Sequence, residues 1–104
     1  MVILSNMNIK DYKFYQHLTN LPFIQQIWLF GSRARGDHQE RADLDLAILC
    51  NNPSFENWLK ISSIIDSADT LLKIDCVKLN ELPDTSTLKA AIMQQGIKLY
   101  EKQQ

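Results

Sequence analysis

Residues Gly31 to Leu49, GSRARGDHQERADLDLAIL, carry the reading of this chain. At their end, Asp43 and Asp45 are separated by one residue in an apolar run, Leu44 to Cys50. On a strand, alternate side chains share a face, so the two carboxylates lie together while Leu44 and Leu46 point into a core. Two acids side by side repel unless a cation sits between them. A hard divalent ion such as Mg²⁺, shared with the phosphates of a nucleotide, is the usual answer. Upstream, Gly31-Ser32 forms a turn at a helix start, where backbone N–H groups can hold phosphate. A carboxylate pair and a phosphate cradle within fifteen residues point to nucleotide chemistry.

Each half of this stretch is common in isolation. An Asp-x-Asp occurs in many solvated loops, and a Gly-Ser pair mostly just turns the chain. Together they spell Gly-Ser, ten intervening residues and Asp-Leu-Asp, with an apolar strand on each side. That arrangement resembles the nucleotidyltransferase superfamily that includes DNA polymerase beta. More narrowly, it is similar to the minimal nucleotidyltransferases of prokaryotes. One position departs from the pattern: the residue before the first acid is commonly Ser in that family and is Ala42 here, one hydroxyl fewer beside the acids.

Composition sets further bounds. With 104 residues, the chain is expected to form one domain over residues 1–104, and 45% apolar content supports a folded core. The net charge of -1, without a basic run, argues against a long nucleic acid as partner. Cys50 and Cys76 lie in apolar strand patterns without a CxxC or a histidine companion, which suits reduced core thiols of a cytoplasmic protein. No leader-like segment opens the sequence and no run reaches the length of a membrane span.

The periodicities predict alternating helices and strands. A helix is expected over Asn8–Thr19, a strand over Phe23–Phe30, and a short helix from Ser32 to about Gly36. A second strand follows at Leu44–Cys50. Asn52-Pro53 reads as the start of a helix that runs to about Ser67 and buries Phe55, Leu59, Ile61 or Ser62, and Ile65. Leu71–Leu79 reads as a third strand, Pro83-Asp84-Thr85 as the opening of a helix closed by Gly96, and Ile97–Tyr100 as a short edge strand. The fold class is α/β: two layers, with a small mixed sheet and helices mainly on one face. Asp43 and Asp45 cannot face the helices without desolvation, so the site is expected on an open sheet face. The resemblance implies the same layout, that of the polymerase beta palm.

A third carboxylate is available at Asp75, between Ile74 and Cys76. From the residues alone, a solvent-facing strand edge explains it equally well. The resemblance implies a third acid from the strand after the long helix, which is Asp75. It also implies two Mg²⁺ ions bridged by Asp43 and Asp45, with Asp75 completing the ion nearer the acceptor. ATP or another NTP would be the substrate, its β- and γ-phosphates held by Gly31 and Ser32. Arg33 and Arg35 do not share a face, so one of them is expected to face solvent or pair with Asp37 or Glu40; Arg35 reads as structural and Arg33 as a contact to phosphate or a partner. His38 reads as solvated, His17 has no assigned role, and Lys73 either approaches Asp75 or is an edge residue. Trp28, Phe30, Trp58 and Tyr100 are core aromatics or candidates for a partner surface.

Larger members of that superfamily follow the catalytic core with a helical acceptor domain. Here another subunit would complete the acceptor site, or the acceptor would itself be a protein. The resemblance implies a small all-helical HEPN-type partner, with the nucleotidyltransferase acting as antitoxin and transferring AMP to the toxin. Transfer to a small molecule such as an aminoglycoside, and occlusion of a helical partner without catalysis, are the alternatives.

Overall fold

The expected alternation of helix and strand is observed. The computed structural model describes residues 8–37, 39 and 41–103. A 3-10 turn at Ile9–Asp11 leads into α1 (Lys13–Thr19), β1 (Ile24–Phe30), α2 (Ser32–Arg35) and β2 (Leu44–Cys50). Then come α3 (Phe55–Asp66), β3 (Ile74–Lys78), a second 3-10 turn at Leu79–Glu81, α4 (Thr87–Gln95) and β4 (Ile97–Glu101). The strands form one mixed sheet in the order β3-β2-β1-β4. β1 is antiparallel to β2 and β4, whereas β2 and β3 are parallel. A parallel neighbour needs a crossover, and α3 supplies it.

One face of the sheet makes the main core. Leu44, Leu46, Ile48 and Cys50 alternate along β2 and meet Phe14, Tyr15 and Leu18 of α1 and Trp58 and Ile61 of α3. β1 contributes Ile24, Ile27 and Leu29. Ile24 and Ile27 are three apart yet share this face, because the β1–β2 register shifts between Ile24 and Gln26 and inserts a residue. Cys50 and Cys76 are free thiols. Burial pushes them up to about 11 and about 12, so both stay protonated at neutral pH.

The opposite face is not wholly open. Ala47 is fully buried in a second cluster with Leu79 and Ile92, flanked by Trp28, Phe30, Leu49, Val77 and Leu82. Thus α4 packs behind β1 on the face that also carries Asp45. The side chain of Asn80 closes β2 as a further strand residue would. Its Oδ1 accepts from the Cys50 N–H at 2.7 Å and its Nδ2 donates to the Cys50 carbonyl at 2.9 Å.

Several boundaries differ from expectation. Ser54, not Asn52, caps α3: its hydroxyl accepts from the Asn57 N–H at 3.1 Å, and Asn57 Nδ2 donates to the Asn52 carbonyl at 2.7 Å. The helix is rotated so that Trp58 and Ile61 are buried, leaving Phe55 and Leu59 74% and 52% exposed. The large indole of Trp58 takes the core position, which removes it as a partner-surface candidate. β3 begins at Ile74, with Leu71 wholly exposed in the preceding turn. α4 is capped by Ser86, whose hydroxyl accepts from the Lys89 N–H at 3.1 Å, and not by the Pro83–Thr85 turn. Among the described residues no helix is long and apolar enough to cross a membrane.

Candidate active site

Asp45 and Asp75 meet because of register. Phe30, the last residue of β1, stands opposite Asp45, and Asp45 is in turn paired with Asp75 across the parallel β2–β3 ladder. Asp45 and Asp75 therefore lie side by side on the face that carries Ala47 and Val77 two residues further on. Asp43 is exposed and immediately precedes the first residue of β2. The Asp75 side chain is 46% exposed, with Lys73 Nζ 3.7 Å from its Oδ1. At that separation, and this exposed, the pair contributes little to stability.

Asp45 is the electrostatic centre. Burial raises its carboxyl above the ordinary carboxylate range, and the charges of Asp75 and Asp43 raise it further. The Arg35 guanidinium acts in the opposite direction. A hard cation would relieve the crowding that these neighbours create, and three carboxylates are the oxygen donors such an ion takes. Among the described residues, no three His, Cys, Asp or Glu side chains stand grouped as a finished metal site. The fit to a divalent ion therefore rests on the shared field of the acids.

The Gly31-Ser32 turn follows directly from β1 and so arrives beside Asp45. Gly31 has φ +75° and ψ -157°, a conformation that side chains disfavour. A Cβ there would fall onto Asp45 Oδ2 and lie 3.2 Å from its Cγ. Glycine at this position lets the backbone rest against the carboxylate. The Gly31 carbonyl accepts from Ala34 and Arg35 N–H groups at 3.1 and 3.2 Å, which starts α2, and Gly36 ends it with φ +82°.

The two arginines of the motif go to different places. Arg33 Nε and Nη2 donate to the Ala42 carbonyl at 3.1 and 3.0 Å, on the peptide just before Asp43. Arg35 pairs with Asp37 at 3.1 Å and is the one whose charge reaches Asp45. His38 and Glu40 lie outside the described residues. His17 faces a groove of about 340 Å³ between α1 and α3, with Lys13, Ser63 and Asp69, remote in sequence from the acids. Trp28 is fixed by its indole N–H donating to Gln26 Oε1 at 2.8 Å, with Lys98 Nζ 5.6 Å from the ring centre. The contacts of Gly31 with Asp45 and of Arg33 with Ala42 join parts of the motif that no periodicity connects, so pattern reading alone could not find them.

The family described as polymerase beta, nucleotidyltransferase matches residues 13–104. The chain belongs to this nucleotidyltransferase family. Protein adenylyltransferase MntA of Shewanella oneidensis is 31% identical to this nucleotidyltransferase over an alignment of 90 residues that covers 82% of the chain. The chain spans 60% of the length of that relative. Among solved structures, a toxin–antitoxin complex with AMP-PNP superposes with a TM-score of 0.63 at 23% identity, covering 88% of this chain and 75% of the other. The complex of a tri-AMPylated Shewanella oneidensis HEPN toxin with its MNT antitoxin gives a TM-score of 0.55 at 21% identity, covering 86% of this chain and 70% of the other. At such identities these structures show the shared fold: a mixed four-strand sheet with helices, as in polymerase beta-like nucleotidyltransferases.

Proposed function

We propose that this nucleotidyltransferase transfers AMP from ATP to a hydroxyl of a small helical HEPN-type protein, as the antitoxin of a toxin–antitoxin pair in the cytoplasm. The observation that carries the reading is the Gly31 turn packed on Asp45, with Asp75 in register beside it. Support for the acceptor comes from the MntA relative, an adenylyltransferase, and from the AMPylated HEPN toxin held by its MNT antitoxin. The single domain, residues 1–104, would carry the transfer chemistry, and the partner would bring the acceptor.

In the reaction, the acceptor oxygen forms a bond to the α-phosphorus, the bond from that phosphorus to the β-bridging oxygen breaks, and pyrophosphate leaves. Asp43, Asp45 and Asp75 are the residues to hold two Mg²⁺ ions, which when bound supply neutralising charge to the attacking and leaving oxygens. Asp75 would also accept the hydroxyl proton. Gly31 and Ser32 bind the β- and γ-phosphates through backbone N–H groups and the serine hydroxyl.

The test is transfer from α-labelled ATP with Mg²⁺ and lysate of the source cell, beside an Asp43→Asn/Asp45→Asn double variant. Label on one discrete protein, lost in the variant, is the expected result. Label on a small molecule, or labelling that persists in the variant, overturns the proposal.

A further inference from the structure

The chain leaves α2 at Gly36 and returns to β2 at Asp43, and both sides of Asp43 are held by hydrogen bonds. On its N-terminal side, the Ala42 carbonyl accepts two bonds from Arg33, from Nε at 3.1 Å and Nη2 at 3.0 Å. On its C-terminal side, the Leu44 N–H donates to the Lys73 carbonyl at 2.8 Å, which begins the parallel ladder. The Ala42 carbonyl belongs to the peptide that supplies the Asp43 nitrogen, so holding it fixes the plane of that peptide and the position of the Asp43 Cα, from which the side chain leaves. A planar guanidinium donating twice to one oxygen fixes both distance and direction, which the single ammonium of a lysine cannot do. Arg33 is itself anchored, because α2 begins on the Gly31 carbonyl and Gly31 rests against Asp45.

We propose that Arg33 is a positioning residue for Asp43. It holds the Ala42–Asp43 peptide so that the Asp43 carboxylate is presented to the cation shared with Asp45 and Asp75. The expectation that Arg33 binds phosphate is thereby replaced by a role in metal affinity. This inference rests on the reading of Asp43 as a site carboxylate.

The experiment titrates Mn²⁺ alone into the full chain, followed by electron paramagnetic resonance, for wild type, Arg33→Ala, Arg33→Lys and Asp43→Asn. ATP kinetics are measured on the same proteins. For Arg33→Ala, Mn²⁺ affinity falls by about 10-fold or more, the range seen when an outer partner of a metal ligand is removed. The Mg²⁺ concentration for half-maximal transfer rises with it, kcat falls, and KM for ATP stays near the wild-type value. Arg33→Lys restores part of the affinity. Unchanged Mn²⁺ affinity with a raised KM for ATP overturns the proposal in favour of a phosphate contact. If Arg33→Ala does not fold, Arg33→Lys decides: it keeps the charge and loses the fork, so full Mn²⁺ affinity overturns positioning and reduced affinity supports it. Asp43→Asn separates the two layers of the argument. If Asp43→Asn loses metal while the arginine variants keep it, positioning alone fails; wild-type metal binding and transfer in Asp43→Asn remove the site reading itself.

Discussion

Asp45 and Ala47 are neighbours on one face of β2, and their surroundings are opposite. Ala47 is wholly buried beneath Leu79 and Ile92, while Asp45 lies at the strand's start, next to Gly31 and Asp75. The parallel partner strand repeats the contrast, with Val77 against the apolar cluster and Asp75 half-exposed. One sheet face thus serves as core at one end and carries the candidate site at the other. Alternation puts the residues on the face, but the cover from α4 and the turn after β3 determines which of them become core. Asp43 and Asp75 stay open to solvent, while Asp45 is partly buried and its carboxyl is raised by burial and by the charges of the other two.

The largest expected break of this contrast is Asp45→Asn. Transfer should fall by more than about 100-fold, beyond the effect of losing an outer partner of a metal site, as measured with α-labelled ATP. The same variant should melt at a higher temperature at neutral pH without metal. Asp45 has a raised pKa in the folded state, so the folded chain holds its proton more tightly than the unfolded chain. Stability is then lost as pH rises from the ordinary carboxylate value through the raised one, and the amide escapes that loss. Adding Mg²⁺ should raise the melting temperature of wild type and not of the variant. A variant that melts lower than wild type without metal would contradict the crowding of Asp45.

At the covered end, Ile92→Ala should destabilise by about 2–5 kcal/mol, the cost of a cavity at a fully buried aliphatic residue. Chemical denaturation measures it. A loss well below that range would mean that α4 is not the cover that separates core from site.

Gly31→Ala sharpens the border between the two ends. Its backbone conformation alone should cost about 1–3 kcal/mol, and the collision with Asp45 adds to it. Combining it with Asp45→Ala should recover the second part only. Strict additivity in that double-mutant cycle would show that the two residues do not touch.

The smallest effect belongs to Asp69, an exposed acid with the opposite tuning. Its oxygens accept from the N–H groups of Lys13 and Phe14 at 2.9 and 3.1 Å, capping α1 from the α3–β3 loop. These bonds, that from Lys13 foremost, hold its carboxyl below the ordinary range. Its contribution is present above the unfolded-state pKa and disappears as pH falls through the depressed folded value. Asp69→Asn should therefore melt slightly below wild type at neutral pH, with the gap closing in acid. A gap of constant size across pH would remove the carboxylate cap.

Much of this was legible in the chain. Among the described residues, the order of helices and strands follows from hydrophobic period, and the Gly-Ser and Asp-x-Asp spacing pointed to the candidate site. Helix starts were less legible, because Asn52 and Ser54 are both good caps and only the seating of Trp58 selects between them. Partner-surface residues were poorly legible for the same reason, since Phe55 and Trp58 are alike in apolarity and differ in the direction the helix turns them.

By itself, then, the sequence determined the α/β alternation and the pairing of a phosphate-type turn with clustered acids, because both are patterns over neighbouring residues. Tertiary structure alone decided that Asp75 stands beside Asp45, that Gly31 touches Asp45, that Arg33 holds the Ala42 carbonyl, and that α4 covers part of the acid-bearing face. Strand register and helix docking are set by the sum of packing across the whole sheet. No short window of residues contains that sum.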